Sequence, residues 1–244
     1  VDNPKRRTFL LRIVPAVLYA CTLASCGAPA RKKDGSRIGA DFSVSSLAKT
    51  DIDMVAEAHF RQTFVHLRTL MEKLYRRNPR EWRKTGQPNG DAVVALVFDT
   101  RHDWRFKELD DKKGAEAITL AFRDDYQGDR VLAYIVGLAS MALAAYNDKS
   151  EFFAPDELSP QKLYNSARNF EIAAWKLANA RDPRGELYLL SNETDGAVKN
   201  LSFEREFGKI IAQQDMLAQI IAEKTNRTVV RVIQSMAMAV FLPI

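Results

Sequence analysis

The sequence predicts an all-α protein, an irregular bundle of about six to eight helices with at most a minor strand pair. Three observations predict it. Beyond residue 50, apolar residues recur at steps of three and four rather than two. Helix start and stop signals such as Asn78-Pro79, Ser159-Pro160 and Asp182-Pro183-Arg184-Gly185 punctuate the chain. The charge-free stretch from Val131 to Tyr146, the longest beyond residue 50, has the length of a helix rather than a strand.

Asp51 to Arg77 reads as a long amphipathic helix. Ile52, Val55, Ala56, Phe60, Leu67, Leu70, Met71 and Leu74 form its apolar stripe. Asp51 and Asp53 suit the positive end of the helix dipole, and Arg76 and Arg77 the negative end. Asn78-Pro79 closes it, and Pro79 to Lys84 adds a further turn. Asp91 to Asp99 contains Val93-Val94-Ala95-Leu96-Val97-Phe98; periodicity alone does not separate strand from helix here, and the helical surroundings favour helix. Gly114 to Arg123 predicts a short helix. Gly128-Asp129 caps Val131 to Tyr146, which is apolar on every side and therefore belongs inside a bundle rather than on its surface. Ser159 followed by Pro160 starts a helix that runs to about Ala180. Glu186 to Asn192 reads as a strand or an ordered loop. Ser202 is placed as the cap of a helix from Phe203 to about Lys224. A last helix is expected from Asn226 or Thr228 through Val240, ending at Pro243. No repeat occurs at the spacing of tetratricopeptide-type helix pairs.

The N-terminus differs from this body. Lys5, Arg6, Arg7 and Arg12 precede an apolar run from Ile13 to Ala24, and small residues follow. That run falls short of the roughly 20 apolar residues that span a bilayer core. Pro15 and the basic flank fit an export signal better than a buried helix. Leu23-Ala24-Ser25-Cys26 resembles the lipobox of bacterial lipoproteins. The resemblance implies that residues 1–25 are a signal peptide removed before Cys26, and that Cys26 carries acyl chains, palmitate among them. Several chains on one residue make an effectively permanent anchor. Gly27, in place of the Asp that retains lipoproteins at the inner membrane of well-studied enterobacteria, implies the outer membrane. Arg6-Arg7-Thr8-Phe9-Leu10 also resembles a twin-arginine export motif, with Lys5 where Ser or Thr is usual. Residues 26–49 then form a flexible tether, and residues 50–244 a single helical domain. The stretches Leu163 to Gly185 and Leu201 to Gly208 are similar to uncharacterised lipoproteins of proteobacteria, from which no activity follows.

Cys21 and Cys26 are the only cysteines. One would leave with the signal and the other be acylated, so neither a disulfide nor a cysteine metal site is expected. The formal charge of +5 is concentrated in the signal and tether. The body is near neutral, which removes nucleic acid as the expected partner.

Candidate chemistry is sparse. The chain lacks a phosphate-binding Gly-rich loop, a His-Glu-x-x-His motif and a Gly-x-Ser-x-Gly elbow. His59 and His66 lie two turns apart on one helix, about 10 Å along its axis, too far to share a metal unaided. Asp99, His102 and Asp103 are ligand-type residues in a polar turn. Arg76, Arg77, Arg80, Trp82 and Arg83 form the densest basic cluster of the body, a candidate contact for a partner or anionic lipid. Tyr164, Asn165, Arg168, Asn169 and Glu171 form a polar face on one helix, with Trp175 beyond. They are either a packing network or the floor of a cleft. No cofactor and no metal are expected. The expectation is a lipid-anchored, periplasm-facing lipoprotein of the cell outer membrane, held by acyl chains on Cys26 and acting on an envelope protein partner as an interaction or assembly factor. The alternative is an envelope enzyme or ligand-binding domain using Arg168 and Glu171. A groove lined by Val131 to Tyr146 would instead suit lipid transfer.

Overall fold

The computed structural model describes residues 49–154, 156–194 and 198–244. Cys26, the segment 1–25 and most of the tether lie outside the described residues. Among the described residues the chain is all-α, with seven α-helices, short 3-10 turns and no strand. Two isolated β-bridges, Arg181 with Leu187 and Glu193 with Asn200, stand where a minor strand pair was allowed for.

Helix α1 spans Asp51–Arg77. Thr50 caps it in a capping box: Thr50 Oγ1 accepts from the Asp53 N–H, and the Asp53 carboxylate accepts from the Thr50 N–H. Helix α2 spans Pro79–Trp82 and continues into a 3-10 turn at Arg83–Thr85. Helix α3 spans Gly90–Phe98, with Asn89 capping at the Ala92 N–H. Helix α4 spans Gly114–Leu120, α5 Arg130–Ala145, α6 Pro160–Asn179 and α7 Ser202–Thr225. The apolar 91–99 run is thus helical, as its surroundings suggested.

Helix α5 lies at the centre, packed by α1, α4 and α6, while α7 closes against α1 and α6. Every residue from Val131 to Ala142 is buried. That enclosure leaves no groove along α5 for a lipid. No helix of the described residues is long and apolar enough to cross a membrane. Gly137 permits the tight α4–α5 approach. A Cβ there would stand 2.6 Å from Ile118 Cγ1 and 2.7 Å from the Gly114 carbonyl. Ser140 adds a hydroxyl that accepts from the Gly114 N–H at 2.8 Å. A second apolar cluster, with Phe60, Tyr146, Phe152, Leu163 and Leu217, fills the space between α1, α6 and α7.

Two element expectations need correction. Ser202 does not cap α7; it is the first helical residue. Asn200 Oδ1 accepts from the Ser202 N–H at 3.0 Å and Asn192 Oδ1 from the Phe203 N–H at 3.3 Å, so the orphan amides are met from the preceding loop. The last helix does not form. Asn226 turns left-handed with φ 50° at the end of α7. The chain then runs extended, apart from a 3-10 turn at Met236–Met238. Thr228, Val229, Val230, Val232 and Ile233 are β-branched and disfavour a helix, and side chains of α6 supply an alternative set of hydrogen bonds.

Candidate functional site

Those bonds come from the polar face of α6. Gln161 grips Val230 at both backbone groups. Its Oε1 accepts from the Val230 N–H at 2.8 Å, and its Nε2 donates to the Val230 carbonyl at 3.1 Å. Two turns on, Asn169 does the same to Leu242, accepting from its N–H at 2.6 Å and donating to its carbonyl at 2.8 Å. Asn165 donates to the Pro243 carbonyl at 2.8 Å, and Tyr164 OH accepts from the Val232 N–H at 3.3 Å. The buried amides of Asn165 and Asn169 are therefore spent on the C-terminal segment.

Arg168 uses the same face differently. Its Nη2 donates to Asp215 Oδ2 of α7 at 2.5 Å and lies 3.1 Å from Glu171 Oε1. The guanidinium lies over the Tyr164 ring, 5.1 Å from its centroid. Its Nε is buried and unbonded among the described residues. Burial pushes Asp215 and Glu171 above the ordinary carboxylate range, and Arg168 only partly opposes this. Tyr164, Arg168 and Asp215 line a cleft of about 570 Å³ that Thr228, Val229 and Arg231 close from the tail side. Glu171 stands beside Arg168 but does not line the cleft, and neither does Trp175. No Ser, Cys or His lines it. Charged and aromatic side chains that share one cleft can hold a small polar ligand.

The basic cluster divides in two. Arg77 is tied to Glu193 at 3.1 Å. Arg76 is exposed and makes no ion pair among the described residues. Arg80 is 74 % exposed and only 4.0 Å from Glu81. Arg83 lies over the Trp82 ring at 5.4 Å. Trp82 is half-buried against the core, and a Cβ on Gly90 would stand 3.3 Å from its ring. It braces the end of α2 more than it projects as an anchor.

The histidines serve helix packing. His59 Nδ1–H donates to the Gln213 carbonyl at 2.9 Å, and His66 Nδ1 pairs with Glu206 at 2.7 Å, both on α7. Burial pushes Glu206 up, but Lys209 and His66 together outweigh it and hold the carboxyl below its ordinary range. Asp99 is taken by Arg68 through two bonds of 2.5 and 2.9 Å. His102 is taken by the Val97 carbonyl of α3 and the Trp104 N–H, and among the described residues Asp99, His102 and Asp103 form no metal-holding group.

The roles of Asn78 and Gln214 escaped the sequence reading, as did the Tyr75 partner of the expected Asp129 cap. Buried Asn78 joins the end of α1 to Leu190 through both backbone groups, at 2.8 and 2.9 Å. Asp129 caps α5 at the Val131 and Leu132 N–H groups and also accepts from Tyr75 OH at 2.7 Å. Burial pushes its carboxyl up to about 6 against those three bonds. Gln214 is fully buried with neither amide atom bonded among the described residues. The Gly128-Asp129 pair signalled the cap; nothing signalled Asn78 or Gln214. No family model, no curated protein and no solved structure matches this chain.

Proposed function

We propose that this chain is a lipid-anchored helical lipoprotein of the cell envelope, tethered through Cys26 to the outer membrane and facing the periplasm. In this reading it acts as an interaction or assembly factor. The carrying observation is the exposed set Arg76, Arg80 and Arg83 at the junction of α1 and α2. None of them is held in a close ion pair among the described residues. Other guanidiniums of the body are engaged by carboxylates, for example Arg68 by Asp99 and Arg168 by Asp215. Exposed guanidiniums beside a rigid Trp82 suit an acidic protein surface, where they raise the association rate and set register.

The test uses site-specific crosslinking in cells producing the full chain. Crosslinkers placed next to Arg80 are expected to capture a discrete envelope protein. Reversal of Arg76, Arg80 and Arg83 to Glu is expected to abolish the adduct without changing the circular dichroism. An adduct that survives the reversal overturns the surface. Recovery of the Cys26→Ser form from the soluble fraction is expected; unchanged membrane fractionation of that variant overturns the anchor.

A second reading, ligand binding in the Arg168 cleft, is favoured by the convergence there of Tyr164, Arg168, Asp215 and Arg231 on about 570 Å³.

A further inference from the structure

On another part of the surface, α1, α3 and the loop after α3 enclose a cleft of about 700 Å³. Its floor is aromatic. Phe60 and Phe64 lie 4.5 Å apart with their rings tilted by 34°, Trp104 lies 5.6 Å from Phe64, and its ring stands edge-on to Phe98 at 6.1 Å. Phe64, Phe98 and Trp104 are only half-buried, so ring surface remains open to the cleft.

Trp104 is held there against its own backbone preference. Its φ is 55°, a left-handed conformation that a bulky side chain rarely adopts. Both nitrogens of His102 are committed to this geometry. His102 Nδ1 accepts from the Trp104 N–H at 3.0 Å, and Nε2–H donates to the Val97 carbonyl at 2.7 Å. That pairing fixes the neutral Nε2–H tautomer. The His102 ring also stands edge-on to Trp104 at 4.8 Å. A strained residue over-determined by its neighbours is a common feature of ligand clamps.

The rim is charged and balanced. Arg101, Asp103, Lys113 and Asp148 line it, two of each sign. Among the described residues, none of the four side chains makes an ion pair or hydrogen bond, although opposite charges share the cleft. A phosphate or carboxylate ligand would meet repulsion from Asp103 and Asp148, and an organic cation repulsion from Arg101 and Lys113. A neutral, hydroxyl-rich ring meets neither. Its hydroxyls donate to the carboxylates and accept from the cations, while its C–H face rests on Trp104 and the phenyl rings. We infer that this cleft binds a pyranose unit of a neutral oligosaccharide, with Trp104 as the stacking platform. The inference goes beyond the contact surface at Arg76–Arg83, and the two fail independently because they share no residue.

The test is calorimetric titration of the full chain in mild detergent with tri-N-acetylchitotriose, cellotriose and maltotriose. At least one is expected to bind with a Kd of about 1 mM or tighter. Trp104→Gly removes the platform while relieving the left-handed strain, so it is expected to fold and to weaken binding at least tenfold. Asp103→Asn and Asp148→Asn keep the shape and lose the charge, and each is expected to weaken binding several-fold. These two decide the matter if Trp104→Gly unfolds. No binding by any of the three sugars at roughly ten times that concentration overturns the inference. So does binding that survives both the platform and the carboxylate variants. Tighter binding of a zwitterionic dipeptide such as Ala-Ala than of every sugar also overturns it, and assigns the balanced rim to peptide termini.

Discussion

Helices α5 and α6 lie side by side and hold their neighbours by opposite means. Helix α5 carries no charge after Arg130 and is enclosed by apolar contact, with Gly137 and Ser140 letting α4 approach. Helix α6 buries Leu163, Phe170 and Leu177 on one side. On the other it uses Gln161, Asn165 and Asn169 as clamps on an extended chain. One bond joins the two helices directly, Tyr134 OH donating to the Ala173 carbonyl at 2.9 Å. Apolar packing is non-directional and tolerates little change in volume. Amide clamps are directional and local, so losing one frees a segment rather than the fold.

The largest effect is therefore expected on α5. A side chain at Gly137 meets Ile118 Cγ1 and backbone atoms of α4 below 3 Å, and backbone cannot swing aside. Gly137→Val is expected to cost about 3 kcal/mol or more, lowering Tm by roughly 6–12 °C. Thermal unfolding followed by circular dichroism checks it. A loss of under about 1 kcal/mol would show that α4 slides and that the packing is looser than drawn.

Next in size is the cap of α5. Asp129 titrates at about 6 when folded, because burial disfavours its charge, and near 3.9 when unfolded. Between those values the folded chain binds the extra proton. The stability from the protonated carboxyl is full below about pH 4 and is lost as pH rises through about 6, a change on the order of 2–3 kcal/mol. Asp129→Asn keeps a good cap and cannot ionise, so it is expected to flatten that slope. Urea midpoints from pH 4 to 7 measure it, and an unchanged slope would place the titration elsewhere.

A smaller and local effect is expected at α6. Asn169→Ala removes both bonds to Leu242 at about 1–2 kcal/mol, most of it spent in the tail. Amide exchange is expected to accelerate from Gln234 to Leu242 with little change in α6 itself. Acceleration spread over α6 and α7 would make the tail part of the cooperative core.

The same contrast explains how much was legible in the sequence. Helix α5 needed no partner to be read: sixteen residues without charge inside a helical chain have one place to go. Ser159-Pro160 and the 91–99 run were likewise local signals. The tail was misread because its apolar spacing suits a helix, while what decides it lies about seventy residues earlier. Asn165 and Asn169 read as a network or a cleft, and Gln161 drew no notice, because their partners are backbone atoms, which carry no sequence mark. Arg168 and Tyr164, grouped in the sequence, line one cleft, while Asp215 and Arg231 reach it from α7 and the misread tail. The strain at Trp104 has no sequence signature, since no Gly or Asn stands at that position.

Gln214 gives the smallest effect and the sharpest test of the contrast. It sits on α7 with no exposed surface, and its amide is unbonded among the described residues. A buried amide that serves as a clamp, like Asn169, should be costly to replace; one that merely fills volume should not. Met matches its length and adapts to irregular space. Gln214→Met is expected to raise stability by about 1 kcal/mol, or Tm by roughly 2–4 °C, because desolvation of an unpaired amide is removed. A fall of similar size would mean that the amide has a polar partner in solution, and that α7, like α6, is held by directional bonds.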